Sequence, residues 1–103
     1  LRRTLAERKQ QAWQSLLRHM PAGVKIHHND SGYFLWLELP AQLDAGLLSE
    51  KALVHHISIA PGKMFSTSDS WTPFFRFNTS WAWGEREEQA VIQLGKLISE
   101  MLE

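Results

Sequence analysis

The chain has 103 residues, which is enough for one hydrophobic core and too few for two, so we predict a single domain over residues 1–103. Hydrophobic residues make up 44% of the sequence, with five Trp and five Phe, a content that argues against intrinsic disorder. Eleven basic and eleven acidic residues cancel, whereas domains that bind nucleic acid usually carry a basic excess, so direct DNA or RNA binding by this domain is not expected.

The lack of cysteine and of long apolar runs limits the chemistry and the cellular compartment that we expect. The sequence has no cysteine, so disulfides, thiol catalysis and Cys-ligated zinc are excluded, and a reducing compartment, the cytoplasm, is favoured. No apolar run approaches the roughly 20 residues that span a bilayer, so no membrane partner is predicted.

The first predicted element is an amphipathic helix that ends at the breaker cluster 21–23. Its apolar positions recur at helical spacing between charged and amide side chains: Leu1, Leu5, Trp13, Leu16, Leu17 and Met20. The pattern is already present at residue 1, with no capping residue before it, so we expect a fragment of a longer protein. The processed terminus of an ordinary monomeric domain would give the same pattern.

A β-hairpin is predicted next. Val24 and Ile26 alternate with polar residues in a half-exposed strand, and the almost wholly apolar residues 33–39 form the second strand. Residues 29–32 between them have turn chemistry, with Gly32 free to adopt a positive φ.

The rest of the chain is predicted to hold two helices and two strands. A helix of about twelve residues is expected within 43–54, then a short strand at 57–60 and a polar surface loop at 63–72. A strand follows at 74–80, and the last helix begins after Gly84 with an acidic first turn, which suits the positive end of a helix dipole. The predicted fold class is therefore α+β, a small and mainly antiparallel sheet with helices packed on it.

Arg76 is the main candidate for chemistry. Strand alternation places Phe74 on the same face as Arg76, and Phe75 and Phe77 on the other face, which suits a helix-covered core. An arginine buried among aromatic residues needs a partner, because an unpaired buried charge is costly. A guanidinium favours bidentate anions, so the partner is either the carboxylate or phosphate of a ligand or an acid of the same sheet, such as Glu38.

Other candidate sites are weaker. Lys63 follows a glycine but lacks the spacing of a phosphate-binding loop, so we predict a surface lysine. The pairs His27-His28 and His55-His56 have no carboxylate cluster at ligand spacing, and neighbouring residues on a strand point opposite ways, so no metal site is predicted. No Gly-x-Ser-x-Gly segment and no cysteine is present, so no catalytic residue is predicted.

Four tryptophans have ring surfaces that could stack on bases: Trp36, Trp71, Trp81 and Trp83. The simplest interpretation of Trp36 is a core residue. Trp81 and Trp83, near the end of the last predicted strand, are predicted to cover an interface.

Three segments occur in a characteristic order and spacing, with a helix before, between and after them. They are residues 32–37, residues 57–62 followed by Phe65 and Ser66, and residues 75–78. Together they resemble the C-terminal small domain of the fold-type I, class I and II, pyridoxal-phosphate aminotransferases. The second segment most resembles the aminotransferase-like part of MocR-type regulators of the GntR family, in which a winged helix-turn-helix DNA-binding domain precedes that part. The resemblance covers essentially the whole chain.

The resemblance implies a role for particular residues. By position, Arg76 would bind the α-carboxylate of an amino-acid substrate or effector, and Gly32 and Tyr33 would line the substrate side of the cleft. The implied cofactor of the parent protein is pyridoxal 5'-phosphate, bound by a large domain that holds the Schiff-base lysine outside this chain, since Lys63 does not match it. The chain would therefore contain no cofactor-binding residue, and the parent would be a homodimer that binds DNA through another domain.

Three functions remain open at this point. The first is the amino-acid-sensing part of a transcriptional regulator. The second is part of a catalytic amino-acid:2-oxo-acid aminotransferase. The third is a non-enzymatic α+β interaction domain, which an Arg76 salt-bridged inside the domain and a large exposed apolar patch would favour.

Overall fold

The computed structural model describes residues 2–27, 34–65 and 69–103. In these ranges the chain forms three α-helices and four strands, which confirms the predicted α+β class. In chain order they are α1 Arg2–His19, β1 Lys25–His27, β2 Phe34–Glu38, α2 Ala45–Val54, β3 Ala60–Pro61, β4 Phe74–Asn78 and α3 Glu85–Met101. Short 3₁₀ turns at Gly62–Met64 and Asp69–Trp71 lie between β3 and β4. No helix in the described ranges is long and apolar enough to cross a membrane.

The strands form one antiparallel sheet in the order β1-β2-β4-β3. The pairing of β1 with β2 confirms the predicted hairpin, although its turn at 29–32 lies outside the described residues. The register sets Arg76 of β4 directly between Trp36 of β2 and Ala60 of β3. Arg76 therefore lies on an inner strand, with paired backbone on both sides.

The helices cover one face of the sheet, and the core lies between them. Leu35, Leu37 and Phe75 point into it from the sheet and are 0% exposed. From the helices come Leu16 of α1, Leu48 and Ala52 of α2, and Val91, Leu94 and Ile98 of α3, which lie on the stripes predicted by the 3.6-residue period. The core also includes Ala12 of α1, which the prediction did not name, whereas the predicted apolar position Leu17 is 58% exposed.

Three predicted boundaries differ from the structure. Helix α2 begins at Ala45, because Asp44 caps it by accepting a hydrogen bond from the Gly46 amide at 2.7 Å. The strand predicted at 57–60 is wrong in its bounds, since β3 pairs with β4 only at Ala60 and Pro61. Ile57 and Ile59 alternate because they are buried in the core, at 8% and 7% exposure, and not because they pair in the sheet. The last strand ends at Asn78.

Helices α1 and α3 meet at very short range at Gly95. A Cβ added to Gly95 would overlap the backbone carbonyl oxygen of His19, the last residue of α1. Glu88, two turns earlier on α3, lies on the same stripe of the helix and also contacts His19. The end of α1 is therefore held against α3 at two points.

Glu88 is the centre of a hydrogen-bond network between the two helices. Its carboxylate accepts hydrogen bonds from the Ser15 hydroxyl at 2.8 Å, from Arg18 at 3.2 Å and from the Trp83 indole at 3.2 Å, and lies 2.7 Å from His19 Nε2. These contacts, led by His19 and then Ser15, lower the pKa of Glu88 to about 2, although burial opposes the shift. Trp83 is half-buried and packs against the core of this domain, and its place at an interface stays a prediction.

This network makes stability depend on pH. The pKa of Glu88 is lower in the folded chain than the ordinary value of 4.5, so its contribution is fully present above about pH 4.5 and is lost as the pH falls towards 2. We expect the urea midpoint of the wild-type chain to fall more steeply over this window than that of Glu88→Gln. Glu85→Gln is the matched control, because Glu85 lies in the same helical turn and, among the described residues, accepts a hydrogen bond from the exposed Gln89 side chain at 2.9 Å. Parallel pH curves for wild type and Glu88→Gln would contradict this account.

Candidate functional site at Arg76

The face of the sheet away from the helices carries a cluster of aromatic side chains. The ring centroids of Trp36 and Trp71 lie 5.3 Å apart, those of Trp71 and Phe74 5.1 Å, and those of Trp36 and Phe65 5.6 Å. His27 extends the cluster onto β1, with its ring 5.8 Å from that of Phe74. These rings form an apolar floor on the open face, where an edge-to-face or tilted geometry is the favoured arrangement.

The prediction that Trp36 belongs to the core is wrong. Its neighbours Leu35 and Leu37 fill the core and are 0% exposed, so the alternation of β2 places Trp36 on the open face. An apolar run of residues does not show which of its two faces meets the helices. The half-buried state of Trp36 comes from the aromatic rings around it.

Arg76 lies in the middle of this face and is half-buried. Its guanidinium carbon lies over two aromatic rings, 4.4 Å from the centroid of Phe34 and 4.4 Å from that of Phe65. Both distances are well inside the roughly 6 Å range of a cation–π interaction. The face assignment of Arg76 and of Phe75, made from strand alternation, is confirmed, since Phe75 is 0% exposed on the other side.

No carboxylate among the described side chains pairs with Arg76. Glu38, the acid proposed for a structural salt bridge, instead lies 2.9 Å from His27 Nε2 on β1. In the register of the sheet it faces Phe74 and not Arg76. The alternative in which Glu38 satisfies Arg76 is therefore wrong, and aromatic rings take the place of an acid within the described part of the chain.

The structure describes only some of the other candidate site residues. Gly32 and Tyr33 lie outside the described residues, so their placement near Arg76 stays a prediction. Lys63 is exposed in the 3₁₀ turn after β3. Within the described residues, no group of three or more His, Asp or Glu side chains is placed to hold a metal ion.

Sequence reasoning missed the roles of Phe34 and Phe65. Both residues belong to the segments that carry the family resemblance, but no local pattern places either one over Arg76. Phe34 falls on the face of Arg76 only once the pairing of β2 with β4 is known. For Phe65 the one available signal was a large apolar residue in a loop rich in Ser and Thr.

Sequence and structure comparisons place the chain among known proteins. It is 78% identical over 102 residues, or 99% of its length, to the uncharacterized HTH-type transcriptional regulator YdcR of Escherichia coli, of which it covers 22%. It is 29% identical over 87 residues, 84% of its length, to aromatic-amino-acid aminotransferase 1 of Thermococcus litoralis, of which it covers 21%. No protein-family model matches the chain.

The fold has a clear counterpart among solved structures. LysN, an α-aminoadipate aminotransferase of Thermus thermophilus, superposes on 97% of the chain with a TM-score of 0.86 and 27% sequence identity. The chain covers 26% of that protein, and thus about a quarter or less of each of these relatives. The predicted small-domain type of the fold is therefore confirmed.

Proposed function

We propose that this chain, an aminotransferase-like small domain, is the C-terminal part of a DNA-binding transcriptional regulator, in which Arg76 binds the carboxylate of an amino-acid effector. The observation that carries the proposal is the state of Arg76. It is a half-buried cation on an open face, over two aromatic rings, with no described carboxylate paired to it. The high identity to an HTH-type regulator favours a regulatory parent.

The chain would act as one wall of a larger site. In this proposal residues 1–103 are a single domain, and the rest of the parent supplies the large domain, the DNA-binding domain and the contacts of a cytoplasmic homodimer. Gly32 and Tyr33 are proposed to line the same cleft as Arg76. Because the relatives are about four or five times as long as this chain, most of such a protein lies outside it.

The N-termini of α2 and α3 are poorly suited to the phosphate of pyridoxal phosphate. A phosphate binds readily at a helix N-terminus, where free amides and the helix dipole favour an anion. Here acids occupy two of these positions: Asp44 caps α2, and Glu85, Glu87 and Glu88 fill the first turn of α3. The cofactor and its Schiff-base lysine are therefore assigned to the large domain, and Arg76 is assigned to the ligand.

Arg76 suits a carboxylate for geometric reasons. Its planar guanidinium presents parallel N–H donors that match the two oxygens of a carboxylate, which fixes the orientation of the ligand as well as its position. Since the ligand would bind between this domain and the large domain, it can favour one arrangement of the two over another. In a regulator such a preference would shift the population of DNA-bound conformations.

The test of this proposal varies the ligand. The full-length regulator is titrated with each standard L-amino acid in a calorimeter, and at least one of these amino acids should bind. The amine left by removing its carboxylate should bind roughly 100-fold more weakly, because it leaves the guanidinium unpaired. Operator affinity measured with and without that amino acid should differ. Equal binding of amino acid and amine would exclude the carboxylate role of Arg76.

A second candidate function is a catalytic amino-acid:2-oxo-acid aminotransferase. The similarity to an aromatic-amino-acid aminotransferase and to LysN favours it. Steady transfer of the amino group from an amino acid to a 2-oxo acid by the full-length protein would support it, whereas an amino-acid-dependent change in operator affinity without turnover would support the regulator.

The interaction-domain alternative loses its main support, because Arg76 has no ion pair with a described residue.

A further inference from the structure

Phe65 is a large apolar side chain that the core does not explain. It is 48% exposed, and it comes from the loop between β3 and β4. Phe34 is half-buried on the open face, where its ring contacts Trp36 and Arg76. The two side chains share one feature, which is a ring centroid 4.4 Å from the guanidinium carbon of Arg76.

We propose that Phe34 and Phe65 are positioning residues that hold the Arg76 guanidinium so that its N–H edge meets a carboxylate. The proposal rests on the proposed function. A guanidinium carries five N–H donors that lie in its plane and point outward, while its faces can stack on aromatic rings. Rings over the cation therefore restrict its orientation without using any donor. An acidic partner would restrict it equally well but would occupy the donors that the ligand needs.

The backbone around Phe65 is built to keep its ring in this place. Ala60 pairs with Arg76 across the sheet, so the loop starts beside the arginine. A Cβ added to Gly62 would lie 2.7 Å from the Trp71 carbonyl oxygen and 3.1 Å from the Phe74 Cβ, so the chain passes through a gap that only glycine fits. The Phe65 amide then donates to the Gly62 carbonyl at 2.9 Å, which closes the turn.

The same packing gives a physical role to residues 57–62 and Phe65, one of the segments that carry the family resemblance. The short strand puts the loop next to Arg76, the glycine allows the tight turn, and the turn presents Phe65 over the guanidinium. Phe34 reaches the same cation from β2, two residues before Trp36, which pairs with Arg76. Two elements distant in sequence thus converge on one side chain.

The experiment measures ligand affinity of the full-length protein by calorimetry. The probes are the standard L-amino acids, titrated singly, together with the amine left when the carboxylate of the tightest binder is removed. We expect Phe65→Leu and Phe34→Leu each to weaken the amino acid by about 5-fold, the size of one cation–π contact, and to leave the amine unchanged. Phe65→Trp should keep the affinity, because Trp is the strongest cation–π partner.

Two further variants make the result specific. Phe77→Leu is the matched control and should leave the affinity unchanged, since Phe77 is the neighbour of Arg76 on β4 but packs against the core on the opposite face of the sheet. In an Arg76→Ala background, Phe65→Leu should cause no further loss, because its effect acts through the arginine.

The outcomes distinguish the positioning role of Phe34 and Phe65 from the carboxylate-binding role of Arg76. If Arg76→Ala weakens the amino acid and neither Phe→Leu variant does, the positioning role is wrong and the proposed function stands. An equal loss for amino acid and amine in Phe65→Leu also overturns the positioning role, because Phe65 would then contact another part of the ligand. If Arg76→Ala leaves the affinity unchanged, or if no amino acid binds the wild-type protein, the proposed function fails and the positioning role fails with it.

Discussion

Arg76→Ala in the full-length protein is expected to weaken binding of its amino-acid ligand by roughly 100-fold or more, the cost of truncating one partner of a buried, hydrogen-bonded charge pair. The carboxylate would lose its bidentate partner in a site whose other described side chains are aromatic rings. Arg76→Lys keeps the charge but not the planar fork, so an intermediate loss of about 10-fold is expected. Calorimetric titration gives both values.

The fold and the cofactor should survive the substitution. Removing Arg76 costs its cation–π contacts, a modest loss of about 1 kcal/mol in the free energy of unfolding. The absorbance of bound pyridoxal phosphate should stay, since its lysine is assigned to another domain, while the spectral change caused by the amino acid should disappear. Arg86→Ala is the matched control, because Arg86 is exposed on α3. Wild-type amino-acid affinity in a folded Arg76→Ala protein would refute the assignment.

Gly95→Ala is expected to destabilise the 103-residue chain by about 2 kcal/mol or more, within the usual range for an overpacked contact. The added methyl group would overlap the carbonyl oxygen of His19, which is backbone and can move only if the end of α1 moves. That shift would also strain the bond between His19 and Glu88. Alanine is the better helix former by about 1 kcal/mol, so the steric cost must exceed this gain.

Gly46→Ala provides the comparison, because it makes the same change inside helix α2. The added Cβ there would lie 3.0 Å from Asp44 Oδ1, which caps α2 and needs to move only a few tenths of an ångström. The weaker cap offsets the gain in helix propensity, so the unfolding free energy should change by less than about 1 kcal/mol. Urea unfolding followed by tryptophan fluorescence measures both variants, since Trp83 reports on the α1–α3 contact through Glu88. A Gly95→Ala chain as stable as wild type would show that α1 and α3 can separate without cost.

Much of the site could be predicted because residues on one face of a strand or a helix recur at a fixed spacing in the sequence. The period of two in residues 74–78 was enough to separate Arg76 from the core face, and turn and breaker residues were enough to predict the hairpin and the end of α1. The order of the elements and the segment Phe75–Asn78 then supported the resemblance to the aminotransferase small domain, which the comparisons bear out.

What surrounds Arg76 could not be predicted in this way. Glu38 was an equally plausible partner on sequence grounds, and only the structure shows it bonded to His27. The two rings over the guanidinium come from residues that lie 42 and 11 positions from Arg76 in the chain (76 − 34 and 76 − 65). No periodicity within one element relates such residues.

The sequence by itself determined which residues are apolar, where they recur and hence which elements form, because these depend on neighbours a few positions apart. Only the tertiary structure decided that Trp36 lies on the open face, that Gly95 meets the end of α1, and that, among the described side chains, aromatic rings and not an acid contact Arg76. Each of these depends on strand register and helix contact between distant segments. Such contacts depend on how the whole chain packs, so a local sequence pattern cannot predict them.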